Sequence, residues 1–224
     1  MTTRLVRQGA WELIAEHIKE MIFTGELRPG DRVPQEEIAE RLGVSRIPVR
    51  EALISLQHDG WLKNSPYRGS FVQAFDEASI EDLHEAIGLV YGLVARRAAL
   101  RATDGDIAAL TSAQSSVAAA KSATDMLAAN NQFLKELHRI GGSQRITSML
   151  RTVSVIVPGN FFEVVPEAFP IQRRGTAKTV KAIKARDGDL AAAAILTMTR
   201  QQGSEVLALL KERHIVSQTA VVTP

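Results

Sequence analysis

The 224-residue chain contains no cysteine. That excludes disulfides, a thiol nucleophile and cysteine-ligated metal, and it suits a reducing cytoplasm, the expected location. Histidine is sparse: there are five, scattered, with no HExxH pair, no Ser-His-acid set and no phosphate-binding glycine loop. An enzyme is therefore poorly supported. No apolar run approaches the roughly 18 residues of a membrane span. The opening stretch MTTRLVRQGAWELIAEHIKEM has early acids and no continuous apolar signal core, so no membrane partner is expected. Net charge is also slight, at +2. What the chain does have is a hydrophobic content of 45%, ample for real cores in a length that suits one or two domains.

The small net charge hides a local asymmetry. Residues 12 to 40 carry eight acids against three bases, whereas residues 41 to 73 carry five bases (Arg41, Arg46, Arg50, Lys63, Arg68) against two acids. A cationic face confined to one segment is the footprint of phosphate attraction, although charge alone leaves a chance excess open.

The packing pattern in the same segment says more. Over QEEIAERLGVSRIPVREALISLQHDG, counting from Gln35, a small residue (Ala39) falls at position five, glycine (Gly43) at nine and an apolar residue (Val49) at fifteen. The first lets two helices approach, the second takes a left-handed turn, and the third fills the angle between them. Ile38, Leu42, Val44, Leu53 and Leu56 complete the apolar face. Ser45 stands at the N-cap of the second helix, with Pro48 in its first turn. Arg46 and Arg50, four apart, share a face; a guanidinium can bridge guanine O6 and N7 or clamp a phosphate. Ile47 at the tip could meet a thymine methyl. A helical pair inside an ordinary bundle is the blander alternative, but turn chemistry, packing positions and arginine placement agree on a helix-turn-helix.

SRIPVREAL, preceded by PGDRVPQEEIAERLGV and followed by LQHDGWLKNSPYRGSFV, closely resembles the winged helix-turn-helix domain of GntR-type bacterial transcription regulators over residues 10 to 75. The resemblance implies that Ser45, Arg46, Ile47, Pro48 and Arg50 face the groove and that Arg68 and Gly69 form the wing tip. Ile47 replaces the family's frequent threonine, and Glu36 stands where some members carry a DNA-contacting arginine.

Periodicity predicts helices at 10–23, 35–42 and 45–59, then short strands at Trp61–Lys63 and Ser70–Val72 around a turn. Leu13, Ile14, Ile18, Met21 and Ile22 mark the first helix's apolar stripe. Trp61 and Tyr67 could form a stacking pair for nucleic acid, though Trp61 reads better as core. After a short linker near Gln73 to Ala78, further helices are predicted at about 78–102, 104–121, 124–140, 143–157, 167–187 and 188–212, with Thr103–Asp106 and Ser143 as N-caps and Pro158-Gly159 and Gly188 as breaks. GNFFEVVPEAFP reads as a loop with exposed aromatics, and Ala191 to Ala194 as good helix formers more than a close-packing face. The fold class is thus mainly α: a winged helix-turn-helix domain (1–75) and an all-helical bundle (76–224).

The helical half resembles the FCD-type ligand domain of the FadR subfamily, through SIEDLHEAIGLVYGLVARRAAL, NNQFLKELHRIGGSQRI and TVKAIKARDGDLAAAAILTM. Members with a β-rich UTRA or an aminotransferase domain are excluded by pattern and length. Many FCD domains hold a divalent metal through one Asp and three His, and the metal grips a carboxylate. Here Asn130 stands for the Asp, Leu134 for the first His and Thr176 near the second, and no histidine lies between His138 and His214. Ile87 and Tyr91 replace an arginine and an acid. No metal cofactor is expected, since one amide cannot supply the charged or imidazole donors such a cation needs.

If a cavity persists, Tyr91, Asn130, Leu134, His138 and Arg174 are the candidate effector contacts. His138, near a predicted helix end, reads first as a cation favoured by the helix dipole. The function expected is that of a homodimeric regulator, a repressor by preference, which reads an inverted repeat in double-stranded DNA and answers to a small-molecule effector. An effector-independent DNA-binding protein with a filled pocket is the alternative.

Overall fold

The computed structural model describes residues 9–153 and 161–216, and it divides into two compact units. The first comprises the described residues up to Phe75, together with those from Leu210 onward. In it, α1 (Ala10–Phe23), α2 (Gln35–Leu42) and α3 (Arg46–His58) precede a hairpin of β1 (Leu62–Ser65) and β2 (Gly69–Val72). The strands are antiparallel, with Leu62 opposite Val72, and Arg32 bridges to Phe71 as a rudimentary third strand. Ile14, Ile18, Ile22, Ile38, Val49, Leu53 and Leu56 form the core. Two residues assigned to that face by periodicity lie outside it: Leu13 is 58% and Leu42 36% exposed. Each sits at the edge of an amphipathic stripe, where 3.6-residue periodicity cannot separate rim from centre.

Trp61 is core, 1% exposed, between Phe23 and Phe75. Lys19 is buried with it because its ammonium lies over the indole ring and reaches Glu16 Oε1 at 2.9 Å. Arg213 donates to the Phe23 carbonyl, Ile215 is fully buried and Val216 bridges to Phe75, which ties the C-terminal residues into this unit.

The second unit spans Asp76 to Leu209 within the described residues. Its elements are α4 (Glu77–Arg101), α5 (Asp104–Ala119), α6 (Ala123–Gly141), α7 (Gln144–Val153), α8 (Phe161–Val164), α9 (Ala168–Lys184) and α10 (Gly188–Glu212), the last continuing past the unit's end. Asp76 caps α4 by accepting from Ser79 N, and Thr103–Asp106 forms the predicted capping box. Ser122–Asp125 forms another on α6. Positions 154–157 of the helix predicted at 143–157, and the Pro158-Gly159 break, lie outside the described residues.

Two expectations are corrected. The aromatics of the predicted loop turn inward: Phe162, on the single turn α8, is 2% exposed and meets Phe161 and Phe169 edge-on. The alanines of α10 do form a close-packed face. Ala191 is fully buried, and a Cβ added to Gly92 of α4 would lie 3.2 Å from the Ala192 carbonyl oxygen.

Candidate nucleic-acid interface and helical-unit cavity

Gly43 ends α2 in the left-handed region, at φ 63°, and Val44 N donates to Ala39 O at 3.0 Å. Ala39 is 6% exposed and Val49 fully buried, so the small and apolar positions serve the packing that their spacing requires. This anchoring leaves the start of α3 bare. Ser45, Arg46, Ile47 and Arg50 are exposed, Ile47 by 70%; Pro48 is half-buried against the turn. Ser45 occupies the N-cap position, but its hydroxyl makes no capping bond. The first-turn N–H groups of α3 therefore remain open to an acceptor.

The two arginines differ. Arg46 Nη1 lies 3.0 Å from Glu36 Oε1, with both side chains about three-quarters exposed. Arg50 has no ion pair among the described residues. An exposed pair of this kind contributes little to stability, so its chief consequence is electrostatic: it offsets one cation on the face that would approach phosphate.

The hairpin supplies the adjoining ridge. Tyr67, at φ 62°, is fully exposed at the tip, beside exposed Arg68. The Arg68 guanidinium sits 5.7 Å from the Phe71 ring centre. Gly69 has φ 101°, with the Arg32 guanidinium behind it. Gln57 Nε2 donates to Ser70 Oγ at 2.8 Å, fixing the hairpin to α3. Sequence reasoning missed Arg32 as part of this ridge. It counted among the acidic stretch, and only the bridge to Phe71 brings it to the wing.

In the second unit, a cavity of about 320 Å³ opens between α4, α6, α8, α9 and α10. Of the residues nominated from sequence, Tyr91, Asn130 and Leu134 line it, as does Ile87; His138 and Arg174 do not. Arg174 is exposed on α9. His138 lies behind Tyr91, with ring centres 5.5 Å apart. Burial pushes its pKa down, opposite in sign to the effect of a helix C-terminus.

Polar residues that sequence did not nominate also line it: His84, Asn131, Gln172, Thr199 and Gln202. Asn130 Oδ1 accepts from Gln172 Nε2 at 2.6 Å, and Gln172 Oε1 accepts from Gln202 Nε2 at 2.8 Å. His84 Nδ1 meets the Ile80 carbonyl at 2.8 Å, and burial lowers its pKa. Burial also raises the pKa of Tyr91. The donor set does not fit a divalent metal. Asn130 offers only a neutral amide and Leu134 no donor at all, and among the described residues no group of three or more His, Cys, Asp or Glu could hold one.

A left-handed glycine turn, a bare helix start with two arginines and a basic hairpin beside it define a winged helix-turn-helix, the fold of a DNA-binding transcription regulator. The chain belongs to the GntR family of bacterial regulatory proteins: the model for "Bacterial regulatory proteins, gntR family" matches residues 11–72, and that for the FCD domain matches residues 82–201. An HTH-type transcriptional regulator of Mycobacterium tuberculosis is 30% identical over 91% of this chain and 83% of its own length. The HTH-type transcriptional repressor RspR of Escherichia coli is 26% identical over 95% and 93%. Among solved structures, E. coli McbR/YncC covers 92% of this chain and 99% of its own at 19% identity and a TM-score of 0.60; a GntR regulator of Rhodococcus sp. RHA1 gives 88%, 97%, 23% and 0.57. At these identities the structural likeness concerns the fold. Among the described residues no helix is long and apolar enough to cross a membrane.

Proposed function

We propose that this GntR-family regulator is a homodimeric repressor that binds an inverted repeat and is controlled by a small molecule held in the helical unit. The observation that carries the DNA reading is the bare start of α3: Ser45, Arg46, Ile47 and Arg50 are exposed on a helix whose other face is locked by Val49 and Leu53. Arg46 and Arg50 would read base edges, while Arg68 and the Gly69 backbone would meet phosphate. Such a protein works by binding, in the cytoplasm with the chromosome, and needs no catalytic step.

Support for the dimer comes from α4. Leu89, Leu93 and Leu100 share one helical face and are 56%, 41% and 68% exposed, an apolar stripe suited to a second copy. Repression is argued from the similarity to RspR. The cavity favours effector control over a filled pocket, because Leu134 and its neighbours leave a volume of ligand size. An effector would act by binding DNA-competent and incompetent states unequally. Selection of duplexes from a random pool by the full chain should return an inverted repeat, bound less tightly when the effector is present. Recovery of no common sequence removes the reading.

A further inference from the structure

The chemistry of the cavity narrows the ligand. Among the described residues, its lining contains no Asp, Glu, Lys or Arg. A carboxylate placed there would leave water without a counter-charge, which low-dielectric surroundings penalise heavily. Nor do the described residues offer a donor set for a divalent cation that could stand in. The two histidines nearby do not substitute: His84 is buried with its Nδ1 on the Ile80 carbonyl, and His138 stands behind Tyr91.

What the cavity does offer is directional and neutral. Gln202, Gln172 and Asn130 form a relay in which each amide N–H donates to the next carbonyl. A three-amide relay has two loose ends, a spare carbonyl at Gln202 and a spare NH₂ at Asn130. Turning all three amides over exchanges the ends and leaves the same pair, one acceptor and one donor. Thr199 uses its hydroxyl proton on the α10 backbone, so it faces the cavity as an acceptor. Around these groups the wall is apolar and aromatic, with Phe161, Phe162 and Leu134 prominent.

We infer that the cavity binds an uncharged molecule with an apolar body and a hydrogen-bonding head that both donates and accepts, such as a primary amide or lactam, and that it does so without a divalent cation. The inference rests on the effector reading above and gives that site a ligand class. The relay is the recognition element: a neutral amide satisfies both loose ends, whereas a carboxylate presents acceptors only and leaves the donor requirement of the carbonyl end unmet.

The test uses the full chain, stripped with a chelator, and isosteric pairs of probes: benzamide with benzoate, phenylacetamide with phenylacetate, and hexanamide with hexanoate. Calorimetry and thermal shift are run with and without added Zn²⁺. At least one amide should bind, with its carboxylate partner roughly tenfold weaker or worse, a gap of about 1.4 kcal/mol, and Zn²⁺ should change neither. Gln172→Leu and, on the rim, Asn130→Leu should each abolish the preference. Tighter binding of the carboxylates, binding that appears only with Zn²⁺, or no binding by any probe would overturn the inference. DNA affinity measured on the same samples separates the two proposals. An amide that binds yet leaves DNA affinity unchanged supports the ligand class and removes effector control, and a carboxylate that binds as tightly as its amide and changes DNA affinity does the reverse.

Discussion

At the scale of single residues, Glu36 is the side chain that most alters the reading of its neighbours. Its carboxylate holds Arg46 at 3.0 Å and places a negative charge on the face proposed to meet phosphate. Glu36→Gln should strengthen DNA binding and steepen the dependence of log K on log salt by roughly one, as fluorescence anisotropy over a salt series would show. Unchanged affinity and slope would mean that Glu36 lies away from the duplex. His84 gives a second test. Burial lowers its pKa in the folded state, so between that value and the unfolded value of about 6.5 the unfolded chain binds more protons. Stability is therefore intact above pH 6.5 and declines as pH falls through that window. The melting temperature should drop on acidification from pH 7 to 5, and His84→Gln should flatten that drop; an equal drop in the variant would assign it elsewhere. Glu36 and Arg46 were legible as separate residues in the sequence, but their pairing was not, because they lie on different helices and meet only through the turn at Gly43.

At the scale of elements, legibility followed periodicity. The three helices and hairpin of the first unit fall within about one or two residues of their predicted bounds, because caps, glycines and apolar spacing point the same way. The helices of the second unit were equally visible, but their contacts were not. Gly141 of α6 shows why: a Cβ there would overlap the Val94 carbonyl of α4, a requirement set by a partner 47 positions away that no local pattern records. Gly141→Ala should destabilise the protein by about 1–3 kcal/mol or more, since the obstacle is backbone that cannot turn aside. Gly92→Ala, whose Cβ would meet the Ala192 carbonyl at 3.2 Å, should cost less. Chemical denaturation orders the two, and equal stabilities would contradict the close packing of α4. The turn α8 escaped prediction for a related reason: Phe162 is buried by tertiary contacts, and a four-residue segment carries too little periodicity to announce it.

At the scale of the whole molecule, the regulator was recognisable from one segment of thirty-odd residues, whereas the candidate ligand site was half legible. Tyr91, Asn130 and Leu134 were found by comparison with the metal-binding pattern of FCD domains. Gln172 and Gln202 were not, because two glutamines thirty residues apart signal nothing until α9 and α10 bring them to 2.8 Å. Assembly offers its own test. If the α4 stripe is the dimer face, Leu89→Glu with Leu93→Glu should yield a folded monomer in sedimentation and weaken binding to an inverted repeat far more than to a half-site. A dimer that survives both substitutions would place the interface elsewhere.

The central claim is that the start of α3 reads base pairs. The direct measurement is the affinity of the wild-type chain, Arg46→Ala and Arg50→Ala for the selected operator and for operators altered one base pair at a time. Each arginine that reads a base should, when removed, cost about 1–3 kcal/mol on the native operator and erase discrimination at one position in each half-site. Full affinity and unaltered discrimination in both variants would contradict the account.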